Sequence, residues 1–161
     1  IKKCLGFDMN VLVFDPYVDE KTISSLGAQK ISDFDYGLKI LDILSLSVPL
    51  NDETKNMISI KELSLMKKTA IIINASRGGV VNEIDLNRAL NEKIISFAGL
   101  DVFEKEPPDQ NNPLLSNKRV LLSPHAATFT KECLENMSLE TVQNIIDFFE
   151  KKIENTKVVK L

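Results

Sequence analysis

No stretch of this sequence is apolar for long enough to cross a bilayer; the longest apolar runs reach only about half the span a membrane helix requires. The opening residues IKKCLGFDMN have neither a long apolar core nor a small-residue cleavage site, so they do not read as a secretory signal. Two cysteines, Cys4 and Cys133, stand far apart. They form no disulfide framework and no metal-ligand spacing, so no metal site is expected and a reducing, cytoplasmic setting is the default. Acidic and basic residues are interspersed, with a net charge of -3. No basic cluster marks a nucleic-acid footprint; Lys151 and Lys152 stand beside Glu150 and Glu154, the pattern of a solvated helix face. There is no internal repeat and no low-complexity tract. A G-x-G-x-x-G turn, which seats a dinucleotide pyrophosphate on a helix N-terminus, is also missing. Histidine occurs once, at position 125.

What remains is an ordinary globular composition, 43% apolar and 27% charged over 161 residues, a length suited to one domain. Short apolar runs alternate with amphipathic segments. VLVF (11–14), LDILSLSV (41–48), AIIIN (70–74), ISFAGLDV (95–102) and RVLLS (119–123) read as strands, and AQKI as a further short one. Ile1 to Phe7 resemble the end of a helix. Lys21 to Leu26 read as a helix ended by Gly27, and Asp33 as the cap of a brief helix that Gly37 ends. Ser59 and Glu62 match a capping box for a helix to about Lys67. Asn82 caps another through about Asn91, with Glu83 and Asp85 near its positive end. EKEPPDQNNP reads as loop. A long helix is expected from about Thr130 to Lys152. Continuous apolar strands alternating with helices imply an α/β, doubly wound parallel sheet covered on both faces.

In such a sheet, ligands bind beyond the carboxyl ends of the strands, so the residues just past each strand matter most. Asp15 comes after VLVF, where a carboxylate can accept hydrogen bonds from ribose hydroxyls; it also reads as a simple Asp-Pro turn. Arg77 comes after AIIIN within Ala75-Ser76-Arg77-Gly78-Gly79, and its guanidinium can fork onto a carboxylate. Asp101 and then Glu106 come after ISFAGL. His125 comes after RVLLS and is the obvious candidate for acid–base work near neutral pH. Each has a bland reading as a loop residue. Together they place an anion anchor, a proton donor and an orienting carboxylate after three different strands, a set suited to reducing a 2-keto acid.

The run NASRGGVVNEIDLNRAL resembles the arginine signature of the D-isomer-specific 2-hydroxyacid dehydrogenases. GLDVFEKEPP resembles their glutamate signature and SPHAATFT their histidine signature; VLVFDPY and SVPLNDETKNMI fit in the same order. Asn82 stands where the family usually has aspartate. The resemblance implies a Rossmann NAD-binding domain. It implies that Arg77 binds the substrate carboxylate and that His125 exchanges a proton with the substrate oxygen. It implies that Glu106 favours the imidazolium. For the cofactor it implies that Asp15 takes the adenosine ribose, that Val48 and Pro49 pack near the nicotinamide, and that Asp101 and the Ala75 backbone hold the carboxamide. Thr54, Ser76, Arg77, His125 and Ala127 complete the implied cofactor contacts. Formate dehydrogenases of the group carry glutamine in place of Glu106, which argues against formate.

The family's glycine turn and its first strand are not found here, and neither is most of its substrate domain. The chain is therefore expected to be a partial NAD-binding domain, 1–161, inactive alone. Loss of a central strand would expose unpaired edges. Either the sheet closes up or another chain covers the gap, so self-association is expected. The first-choice activity is that of a phosphoglycerate dehydrogenase, in serine biosynthesis. Glyoxylate or hydroxypyruvate reductase and D-lactate dehydrogenase are the alternatives. An NAD-sensing corepressor is the competing reading from another class.

Overall fold

A computed structural model describes residues 1–154, so the last seven positions of the expected domain lie outside the described residues. The described chain forms two compact units, Ile1–Ser123 and a second beginning at Pro124. In the first, α1 (Lys2–Leu5), β1 (Leu12–Val13), α2 (Glu20–Ser25), β2 (Gln29–Lys30) and α3 (Phe34–Ile40) precede β3 (Ile43–Leu46). Next come α4 (Ile60–Leu65), β4 (Ile71–Asn74), α5 (Glu83–Asn91), β5 (Phe97–Leu100), a 3-10 turn (Pro113–Ser116) and β6 (Val120–Leu122). The second unit holds α6 (Lys131–Phe149).

All strand pairs among the described residues are parallel. Parallel strands need crossovers, and the helices supply them. This is the α/β Rossmann-type arrangement expected from the alternation of apolar runs and helices. The strands fall into two groups among the described residues, β1-β2 and β3-β4-β5-β6. The sheet therefore does not close up: β1 and β3 do not pair with each other.

Within the first unit, the helices that contribute to the core pack on one face of the four-stranded sheet. Leu46, Ile72, Ala98 and Leu100 are buried in one cluster with Leu38 of α3, Leu63 of α4 and Leu86, Ala89 and Leu90 of α5. Burying each large aliphatic side chain stabilises the fold by roughly 1.5–3 kcal/mol. On the other face Ile43, Ile73, Phe97 and Leu121 stay exposed, Leu121 by 79%. Their continuous apolar runs look like strands buried on both sides, but within this unit only alternate residues reach the core.

The caps behave as local chemistry dictates. Asp19, Asp33 and Asn82 accept hydrogen bonds from backbone N–H groups in the first turns of α2, α3 and α5. Ser59 donates from its N–H to Glu62 at the start of α4. Gly27, at φ +82°, ends α2 in the left-handed region. Gly37 does not end α3, as its sequence position suggested. It lies inside the helix, where a Cβ would stand 2.4 Å from Ile31 Cδ1. Glycine costs a helix about 1 kcal/mol relative to alanine; here it leaves room for the Ile31 side chain. The loop after Glu104 holds a feature not anticipated, the 3-10 turn that Asn112 caps through the Leu114 N–H. In the second unit Thr130 caps α6 by accepting from the Cys133 N–H, and no residue of α6 is buried.

Candidate active site

The strand register sets the site. Leu46 pairs with Asn74, Asn74 with Leu100, and Leu100 with Leu122. The segments beyond them, starting at Ser47, Ala75, Asp101 and Ser123, therefore leave the same edge side by side.

The arginine loop is built around Asn74, which is 2% exposed at the end of β4. Its Oδ1 accepts from both the N–H and the hydroxyl of Ser76, at 3.1 and 2.8 Å. Its Nδ2 donates to the Arg77 carbonyl at 3.0 Å. One buried amide thus satisfies the turn that presents Arg77. A buried amide without partners costs far more than it returns, so this saturation fixes the loop. Arg77 itself is exposed, and its Nη1 donates to the Ser76 carbonyl. Sequence reading missed Asn74. The available signal was a lone amide closing a run of isoleucines.

The acid loop begins at the end of β5. Asp101 is 6% exposed; its N–H donates to the Asn74 carbonyl, and its Oδ1 accepts from the Ser123 hydroxyl at 2.6 Å. Asp101 thus ties the ends of β4, β5 and β6 together. Glu106 lies on the exposed part of the loop, where its Oε1 accepts from the Phe103 N–H at 3.0 Å. The two loops touch. A Cβ added to Gly78 would fall 1.8 Å from the Phe103 carbonyl oxygen and 2.5 Å from the Glu104 nitrogen. Only glycine allows the backbones so close.

The loop after β3 is braced from within and also tied to the arginine loop, where the Asn56 N–H donates to the Gly79 carbonyl. Thr54 Oγ1 donates to the Pro49 carbonyl at 2.6 Å, and the Asn51 N–H donates back to Thr54. The Thr54 hydroxyl therefore holds its own loop. Val48 is half-buried against the core cluster, and Pro49 is exposed. After β1, Asp15 Oδ1 accepts from the N–H groups of Tyr17 and Val18, at 2.8 and 3.0 Å. The turn reading and the binding reading of Asp15 are thus compatible: one carboxylate oxygen makes the turn, and the other is available to a ribose hydroxyl. These residues are of a kind that suits a dinucleotide: a carboxylate past β1 and a partly buried apolar side chain, Val48, past β3.

His125 is two residues beyond Ser123 and belongs to the second unit. Its backbone has φ +53°, a left-handed conformation uncommon for any residue but glycine. Such conformations concentrate at functional sites. Ala127 lies in the same turn, which the Phe129 N–H closes on the Ala126 carbonyl.

Residues 1–127 match the family model described as D-isomer specific 2-hydroxyacid dehydrogenase, NAD binding domain. The chain is 42% identical to the glyoxylate reductase of Thermococcus litoralis, over 99% of its own length and 47% of that protein. It is 40% identical to the D-3-phosphoglycerate dehydrogenase of Methanocaldococcus jannaschii, over 82% of its own length and 25% of that protein. Among solved structures, a glyoxylate reductase from Paecilomyes thermophila superposes with a TM-score of 0.84 at 35% identity. That match covers 93% of this chain and 45% of the other. The chain spans about a quarter to a half of the length of the curated relatives it matches.

Proposed function

The chain belongs to the D-isomer specific 2-hydroxyacid dehydrogenases, as their NAD-binding domain, and on that premise we propose that it serves the exchange of hydride between NAD(H) and a 2-keto or 2-hydroxy acid. The observation that carries this reading is the meeting of the arginine loop and the acid loop at the carboxyl ends of β4 and β5. NAD supplies the hydride carrier when bound. Arg77 holds the substrate carboxylate and draws charge from its carbonyl. His125 gives a proton to the substrate oxygen in reduction and takes it back in oxidation. Glu106 supports the protonated imidazole. Asp101 and the Ala75 backbone orient the nicotinamide amide, and Asp15 takes the ribose.

The first substrate in this reading is the 2-keto acid partner of phosphoglycerate. The alignment of a glyoxylate reductase along 99% of the chain favours glyoxylate as the second. NADH oxidation by the full-length parent, with a panel of 2-keto acids, tests both. Arg77→Ala should raise KM for the acid, and His125→Gln should lower kcat by about 10²- to 10⁴-fold. A full-length parent that binds NADH but oxidises it with no acid would instead support the corepressor-like binding module. Self-association is part of the same proposal, supported by the edges of β1 and β3 that are unpaired among the described residues. A light-scattering mass equal to one chain would refute it.

A further inference from the structure

Glu83 is the first residue of α5, directly downstream of the arginine loop. Both of its carboxylate oxygens point back into the acid loop. Oε1 accepts from the Glu104 N–H at 2.6 Å, and Oε2 accepts from Asn112 Nδ2 at 2.6 Å. The two donors bracket the segment that carries Glu106. Asn112 has no freedom to turn its amide over, because its Oδ1 already accepts from the Leu114 N–H at the 3-10 turn. On the near side, Glu104 is next to Phe103, whose N–H holds Glu106 and whose carbonyl lies against Gly78.

We propose that Glu83 is a positioning residue: a two-point clamp that fixes the acid loop, and with it Glu106, against the arginine loop. The importance of Glu106 rests on the dehydrogenase reading; the clamp itself does not. The chemistry calls for a carboxylate. Two separate donors converge on the residue, and charge-assisted acceptance is about twice as strong as neutral hydrogen bonding. The positive end of α5 favours the anion at this position. A glutamine could still accept from the Glu104 N–H, but its amide NH₂ would then face the NH₂ of Asn112. An aspartate is one methylene too short to reach both donors.

The test is a pair of single variants and their combination, made in the full-length parent protein. Glu83→Gln sets two donors against each other. Asn112→Asp sets two carboxylates against each other while keeping an acceptor for Leu114. The double variant Glu83→Gln/Asn112→Asp restores a donor–acceptor pair with the roles reversed. Hydrogen exchange at the Glu104 amide should quicken by about tenfold or more in each single variant, and return towards the wild-type rate in the double. Turnover should show the same pattern in kcat, with the KM for NADH unchanged. Unaltered exchange in Glu83→Gln, or a double variant no better than either single, would overturn the clamp. If the full-length parent oxidises NADH with no 2-keto acid, the dehydrogenase reading fails, and the exchange measurement still decides the clamp.

Discussion

Replacing Gly78 with alanine adds one methyl group at the contact between the two loops. The methyl carbon would lie 1.8 Å from the Phe103 oxygen, 2.0 Å from its carbon and 2.5 Å from the Glu104 nitrogen, all of them backbone atoms. Real Cβ contacts essentially never fall below 3.0 Å, so one loop must retreat by about 1 Å or more. No flexible side chain can absorb that, because the obstruction is main chain. Overpacking of this kind costs roughly 1–3 kcal/mol. For a protein of this size each kcal/mol lowers the melting temperature by about 2–4 °C. Misplacing groups by about 1 Å in a reactive site lowers turnover by around a hundredfold. Gly99→Ala is the control, since its nearest neighbours are side-chain atoms of Ile73 at 3.8 and 3.9 Å, ordinary contact distances. Thermal melts, and NADH oxidation measured in the full-length parent, should therefore separate the two variants. If Gly78→Ala melts and turns over like the wild type, the contact between the arginine and acid loops is not what orders them.

Asn74→Ala removes the amide that holds Ser76 and Arg77, and should cost about 1–3 kcal/mol in urea unfolding; Asn74→Asp should be little better, because a carboxylate would face the Arg77 carbonyl. Asp15→Asn should weaken the preference for NADH over NADPH while leaving the melting temperature nearly unchanged, as the amide oxygen can still accept from Tyr17 and Val18; an unaltered cofactor ratio would remove Asp15 from the ribose site. Partial burial pushes the Glu62 carboxyl up, but hydrogen bonds from the Ser59 hydroxyl and N–H outweigh it and hold the group below its ordinary 4.5. Folding therefore favours the charged form. Its contribution is complete above that ordinary value and is lost as pH falls through the lower, folded value. Urea midpoints tracked from pH 6 down to about pH 3 should show a shallower acid decline in Glu62→Gln than in the wild type.

Much of the fold was legible because the signals are local. Asp33 and Asn82 cap helices with atoms that reach only three residues, and IIIN forms a strand by its own bulk and branching. The order of the loops was legible too, because Arg77, Asp101 and Glu106 each come just after a strand, and parallel strands deliver their downstream loops to one edge. Everything settled by a distant partner lay beyond local reading. Gly37 was placed at a helix end because glycine commonly stands there; its real neighbour is Ile31, in the preceding segment. Ile73 and Phe97 look as buried as Ile72, and only the packing of α3, α4 and α5 on one face separates them. Asn74 left only the faint signal of an amide closing a run of isoleucines and Glu83 none, since an amide or carboxylate acquires its function from the groups the fold brings to it. Local chemistry determined which residues cap, turn and extend. Tertiary structure alone decided which carboxylate became a clamp and which glycine a contact, because those roles belong to pairs of atoms that are far apart along the chain.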